Sequence, residues 1–219
     1  MTVAAIILVP DNAAALGNAD GEPAVRRVAH AAWSGGALPI VIVADETAPL
    51  AEALSGLPVT LHEAGSVAPG VAWLASGLAA ATKAVTETTA GLLWPFRYTW
   101  VDPETVTSLV EAHGATPTSI IRPSYAGAPG LPILIPAALA ERLAALAPRH
   151  GVEAVDALIA QGVPVRILEL GDPGIVYDMA TPRADLPEYQ GPPQPEGAAV
   201  YEWNEELATH AERSGEPAR

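Results

Sequence analysis

Cysteine is absent from this 219-residue chain, and a single lysine, Lys83, stands among its eleven basic residues. The first absence excludes disulfides, thiolate metal ligands and cysteine nucleophiles together, and leaves the redox compartment open. The second leaves any lysine-dependent phosphate cradle one candidate, and Lys83 sits inside a helical pattern. Bases are scarce altogether: 25 acids against 11 bases give a formal net charge of -14. Nucleic acid and anionic membrane both select for basic surface, so neither is an expected partner. No apolar run approaches the ~20 residues of a membrane span. The opening MTVAAIILVPDN lacks a basic leader and reads as a strand, not a signal peptide, which makes the cytoplasm the expected location.

Several catalytic patterns are missing as well. There is no G-x-S-x-G, H-E-x-x-H or G-x-x-x-x-G-K-[ST], and the five histidines (His30, His62, His113, His150, His210) are scattered. The loop PDNAAALGNADGEP after the first strand holds Gly17 and Gly21 but no G-x-G-x-x-G. Half of the residues are hydrophobic, and apolar runs alternate with helix-period segments. This is the pattern of an α/β fold: a Rossmann-like, mostly parallel sheet with helices on both faces, in three α/β/α layers. Strands are expected at residues 3–9, 39–44, 57–62, 91–96, 119–122, 132–135 and 165–170, with a turn at 127–130. Helices are expected at about 22–34, 48–54, 70–86, 102–113, 137–147 and 152–160. The compact domain spans residues 1–186. Residues 187–219 comprise a proline-rich linker (PEYQGPPQPEG) and a short C-terminal helix with Val200, Trp203 and Leu207 on one stripe. That helix either docks on its own domain or clips a partner subunit.

The stretch LLWPFRYTWVDPETV, residues 92–106, places Arg97 among Trp94, Phe96, Tyr98 and Trp100 at the mouth of a strand. Phenylalanine occurs once in the chain, so this aromatic density is not background composition. Such rings serve as stacking platforms, as core or as a subunit contact, and the aromatic strand end is a candidate surface for a homodimer or protein partner.

RPSYAGAPGLPILIPAALAERLAAL from Arg122, GDPGIVYDMATP from Gly171, and VDPETV from Val101 have the order and spacing of known segments. With them, residues 3 to about 186 resemble the molybdenum-cofactor nucleotidyltransferases of the MobA/MocA type, an NTP-transferase family with a nucleotide-diphospho-sugar transferase-like fold. The resemblance implies a triphosphate held by a glycine-rich loop with basic side chains, and Mg²⁺ held by carboxylates at strand ends. In this chain the family's first-loop glycine aligns with Asp11, its arginine with Ala15 and its lysine with Asp20, while Gly17 is kept. The metal-binding aspartate of G-D-x-P aligns with Arg97, its proline with Thr99, and the second carboxylate of D-x-D with Ala180, Asp178 being the first.

Both expected phosphate bases and both expected metal carboxylates are thus replaced. The expectation is a nucleotidyltransferase-fold protein without metal-dependent transfer, with no resident cofactor, binding a partner or a small anionic or nucleotide ligand. Asp20, Arg97 and Asp178 mark the degenerate catalytic positions, and Asp11, Gly17, Arg97, Tyr98 and Arg122 are the candidate ligand-binding residues. Arg97 is expected to pair with Asp20 or Asp11 and close the old pocket. The alternative is an active transferase on a non-standard site, using Arg97 and Arg122 on phosphates, Asp178 as an acid, and Mg²⁺ only in that case.

Overall fold

A computed structural model describes residues 2–65, 69–146 and 150–191. The apolar run after Met1 forms β1 (Thr2–Val9), buried along almost its whole length. It is followed by a four-residue helix α1 (Asn12–Ala15) and a small hairpin of β2 (Asn18–Ala19) and β3 (Glu22–Pro23). Helix α2 (Ala24–Ser34) buries Val25, Val28, Ala29 and Ala32 along one stripe, and Gly36, at φ 84°, ends it in the left-handed conformation that glycine adopts freely. Strands β4 (Ile40–Ala44) and β5 (Val59–Glu63), helix α3 (Val71–Ala84) and strand β6 (Thr88–Pro95) come next. Helix α4 (Pro103–Ala115) is capped by Asp102, whose carboxylate accepts the Glu104 N–H. The remaining elements are β7 (Ile120–Tyr125), β8 (Ala128–Pro129), β9 (Ile133–Pro136), α5 (Ala140–Ala144), α6 (Gly151–Ala160) and β10 (Val165–Glu169).

The sheet runs β10-β7-β9-β6-β1-β4-β5, with β8 paired to β7. All neighbours on the main path are parallel except at β9, which is antiparallel to both β6 and β7. Side chains alternate between two cores, as the two-residue period of a strand requires. Val3, Ala5, Ile7 and Val9 of β1 join α2 and α4, and Ala4, Ile6 and Leu8 join α3, α5 and α6. The expected three-layer α/β/α architecture is present. At the outer edge β10 stays largely uncovered, with Ile167 56% exposed.

Three expectations change. The helix expected at 48–54 is a single 3-10 turn, Ala48–Leu50, because the run before Gly56 is too short to propagate. The helix expected at 137–147 begins as a 3-10 turn, Ala137–Leu139, before α5. The loop expected after β1 contains α1 and the β2–β3 hairpin, whose two-residue strands are too short to show a period. The C-terminal helix carrying Val200, Trp203 and Leu207 lies outside the described residues. Part of the expected linker is described, and it follows the domain: Tyr189 Oη donates to Glu104 Oε2 at 2.8 Å, and Gln190 N–H donates to Gly171 O at 3.0 Å.

His113 on α4 is fully buried, its Nε2 3.0 Å from Thr89 Oγ1 and its Nδ1 without a partner. Burial pushes its pKa below the ordinary 6.5. A depressed histidine pKa means the unfolded chain takes the proton first. Its contribution to stability is therefore full above the ordinary value and is lost as pH falls through the depressed folded value. His113→Leu is expected to flatten the fall in urea midpoint between about pH 7 and about pH 5. Equal slopes for the two proteins would refute that assignment.

Candidate functional site

The chain leaves β1 toward β4 on one side and later returns to β6 on the other. That reversal opens a crevice beyond the carboxyl ends of these strands, the usual ligand position in an open α/β sheet. Three segments meet around it: residues 10–23 after β1, residues 96–102 after β6, and residues 172–183 near the end of the described chain.

On the β1 side a cavity of about 510 Å³ is lined by Val9, Pro10, Asn12, Asp45, Glu46 and Gly65. Its charged side chains are two acids. Asn12 donates to Glu46 O at 2.8 Å, while its own Oδ1 is buried without a partner. Asp11 is occupied structurally, capping α1 by accepting the Ala14 N–H at 3.0 Å. Gly17 fits where a side chain would not: a Cβ there would stand 2.9 Å from Ala14 O. Its carbonyl accepts the Ala24 N–H at 2.9 Å and so ties the loop to the start of α2. Asp20 sits at φ 58° in the hairpin turn, the left-handed region that aspartate tolerates better than most residues.

At the end of β6, Arg97 Nε donates to Asp178 Oδ2 at 3.1 Å. The expected pairing of Arg97 with Asp20 or Asp11 is not what the fold provides. Asp11 is turned into its helix, and Asp20 Oδ2 faces Arg27 at 3.8 Å and Arg183 at 3.5 Å. Arg97 instead reaches the carboxylate that survives from the D-x-D segment. Asp178 Oδ1 is also engaged, accepting the Ala180 N–H at 2.9 Å, and Met179 N–H donates to Arg97 O at 2.8 Å. The pair is about half exposed, so its contribution to stability is at most about 1 kcal/mol. What matters is that both oxygens of Asp178 are taken.

The four aromatics divide. Trp94 and Phe96 are fully buried in the α2/α4 core, and Trp94 Nε1 donates to Tyr98 O at 3.0 Å. Only Tyr98 and Trp100 reach the crevice surface. Burial, followed by the nearby Asp178 charge, pushes the Tyr98 hydroxyl pKa up, with Arg97 opposing. Trp100 Nε1 is held by two carbonyls, Asp178 O at 3.2 Å and Thr181 O at 3.0 Å. Arg122 is not at this end of Arg97's loop: it lies in β7 and donates to Asp156 on α6 at 2.7 Å.

The donor set does not suit Mg²⁺. This cation needs free oxygen ligands, and here one expected carboxylate is a guanidinium, another is an alanine, and Asp178 is paired to the guanidinium. Among the described residues no three His, Asp or Glu side chains converge as a metal set. No linear motif singles out Asp172, which is 2% exposed and accepts from Asp102 N at 2.9 Å, Thr105 Oγ1 at 2.7 Å and Gly174 N at 2.8 Å. Its only visible signal is the turn tripeptide Asp-Pro-Gly. Burial pushes its pKa up, against the pull of those three donors.

Residues 14–165 match the model of the MobA-like NTP transferase domain family. No match was found among curated proteins. Among solved structures the chain is similar to Rv0371c of Mycobacterium tuberculosis H37Rv in complex with manganese, at 21% identity and TM-score 0.60, covering 77% of this chain and 88% of that one. It is also similar to a nucleotidyl transferase from Methanothermobacter, at 17% identity and TM-score 0.63, covering 77% and 87%. A third similar structure is the 2-C-methyl-D-erythritol 4-phosphate cytidylyltransferase of Thermus thermophilus, at 18% identity and TM-score 0.62, covering 83% and 94%. At these identities the likeness concerns the nucleotidyltransferase fold.

Proposed function

Because this chain belongs to the MobA-like NTP transferase domain family, we propose that it has kept the nucleotidyltransferase fold, lost metal-dependent nucleotidyl transfer, and acts as a cytoplasmic binding or partner protein. The observation that carries this reading is the Arg97–Asp178 ion pair, 3.1 Å long at the end of β6. Arg97 stands where the resemblance expects one metal-binding carboxylate, and Ala180, two residues beyond Asp178, stands where it expects the other. A guanidinium stays protonated at every accessible pH, so it repels a cation there and cannot ligate one.

The β1 cavity supports the same reading. A triphosphate carries several negative charges, and this cavity meets it with Asp45 and Glu46, while the positions where the family resemblance calls for arginine and lysine are Ala15 and Asp20. Two carboxylates facing a polyanion in a cleft oppose entry, since fields of one sign are focused there. What remains suitable for binding is the half-exposed surface of Tyr98 and Trp100, together with the tail that follows residue 191.

Titration of nucleoside triphosphates into the purified protein, with and without Mg²⁺, tests the reading by thermal shift. The expected result is no Mg²⁺-dependent rise in Tm at sub-millimolar nucleotide. A Mg²⁺-dependent rise would overturn the reading and favour an active transferase built on a non-standard site.

A further inference from the structure

Beside the crevice, on the α2 side of the loop after β6, lies a second cavity of about 180 Å³. Its lining includes Arg27, His30, Thr99, Trp100 and Arg183, together with the acids Glu22 and Asp102. At a liquid water's share of ~30 Å³, this is room for roughly six waters. That is enough for one hydrated oxyanion.

The two arginines are held but not satisfied. Arg27 lies over the Trp100 ring at 5.2 Å and Arg183 at 6.0 Å, and the ring is itself fixed by its bonds to Asp178 O and Thr181 O. Among the described residues neither guanidinium makes a hydrogen bond. Their only charged contacts are loose: Arg27 to Glu22 at 3.6 Å and to Asp20 at 3.8 Å, and Arg183 to the same Asp20 oxygen at 3.5 Å. A direct charge-assisted bond is about 2.7–2.9 Å long. Arg27 is mostly shielded from solvent, and its proton is loosened by burial and then by the like charge of Arg183. The two cations share one cavity wall, and their carboxylate partners Asp20 and Glu22 stand at 3.5–3.8 Å without a hydrogen bond to either.

A buried polar group lies in the wall of the same cavity. Thr99 lines it, is 1% exposed, and has an Oγ1 buried without any hydrogen-bond partner. An unpaired buried hydroxyl costs about 1–3 kcal/mol. His30 also lines the cavity, its Nδ1 standing 3.2 Å from Glu22 Oε2. The cavity therefore offers two guanidinium forks around a small volume. Forks of this kind match the oxygens of a phosphate.

We propose that this cavity is a binding site for a single phosphate group, either free phosphate or the phosphate of a phosphomonoester, and that Asp20 is its built-in competitor. In the ligand-free protein the Asp20 carboxylate stands loosely between Arg27 and Arg183. An incoming phosphate displaces it and closes both arginines to hydrogen-bonding distance. The site is separate from the acidic β1 cavity and stands whether or not the crevice transfers nucleotides.

The test measures affinity for inorganic phosphate and for glycerol 2-phosphate by calorimetry, with chloride at matched ionic strength as control. Wild type is expected to bind phosphate saturably. Asp20→Asn, which keeps a residue suited to the left-handed turn, is expected to bind about tenfold more tightly. Arg27→Met and Arg183→Met are expected to bind at least about tenfold more weakly, the loss of one hydrogen bond to a charged group. Arg183 is exposed, so its variant folds even where Arg27→Met does not. Tighter binding of the ester marks a phosphomonoester as the ligand, and equal or tighter binding of inorganic phosphate marks free phosphate. A response matched by chloride, or unchanged in Arg183→Met and Asp20→Asn, overturns the proposal.

Discussion

Asp172→Ala is expected to lower the unfolding free energy by about 3–5 kcal/mol, seen as a large drop in urea midpoint with little change in slope. The reason is a count of donors. The backbone N–H groups of Asp102 and Gly174 and the hydroxyl of Thr105 all converge on this one buried carboxylate. Alanine leaves them facing no acceptor. They belong to three different segments: the loop after β6, helix α4 and the turn after β10. Removing the acceptor thus unpins the start of α4 from the last part of the domain. Asp172→Asn keeps one acceptor oxygen but turns an NH₂ toward a donor, so its loss falls between alanine and wild type. A midpoint for Asp172→Ala within about 0.5 kcal/mol of wild type would refute the account.

Gly174→Ala is expected to cost about 3 kcal/mol, although it adds one methyl group. That methyl would stand 2.2 Å from Trp100 O, 2.3 Å from Trp100 C and 2.7 Å from Val101 N. All three are backbone atoms, so no side chain can rotate away. The 172–175 turn or the loop after β6 has to move, and both carry residues of the crevice. Thermal unfolding followed by circular dichroism measures the effect, and a Tm equal to wild type would show that the close approach is softer than the structure indicates. Tests at Asp172 and Gly174 are independent in kind, since one removes an acceptor and the other adds volume.

The sheet was readable in the sequence because its signals are local. Runs such as IVIVA at β4 declare a buried strand by themselves, and Asp102-Pro103-Glu104 declares a helix start. The aromatic and glycine positions around Arg97 and Gly17 were readable for the same reason. Pairings were not. Nothing near Arg97 indicates that its acid is Asp178 and not Asp20, because the choice depends on where residues 171–183 return. Arg27, Arg183 and Thr99 come from a helix, a late turn and a loop, and no linear spacing joins them. The short elements between Pro10 and Pro23 were missed because a four-residue helix and two-residue strands have no period to detect. Buried Asp172 was missed because a lone aspartate before proline looks like any turn.

The order of the strands also sets a timetable for synthesis. A chain leaves the ribosome from its N-terminus, and domains tend to form in that direction. β1, β4 and β5 are complete once residue 63 has emerged, yet β1 keeps an unpaired edge until β6 arrives at residues 88–95. The antiparallel strand β9 then has to slot between β6 and the earlier-made β7. Asp172, Asp178 and Arg183 emerge after every strand of the sheet. A nascent chain therefore presents Arg97 without Asp178, and Asp20 with Arg27 but without Arg183, until the last part of the domain has emerged. The charges at the mouth of the crevice are neutralised last, by the segment that follows β10.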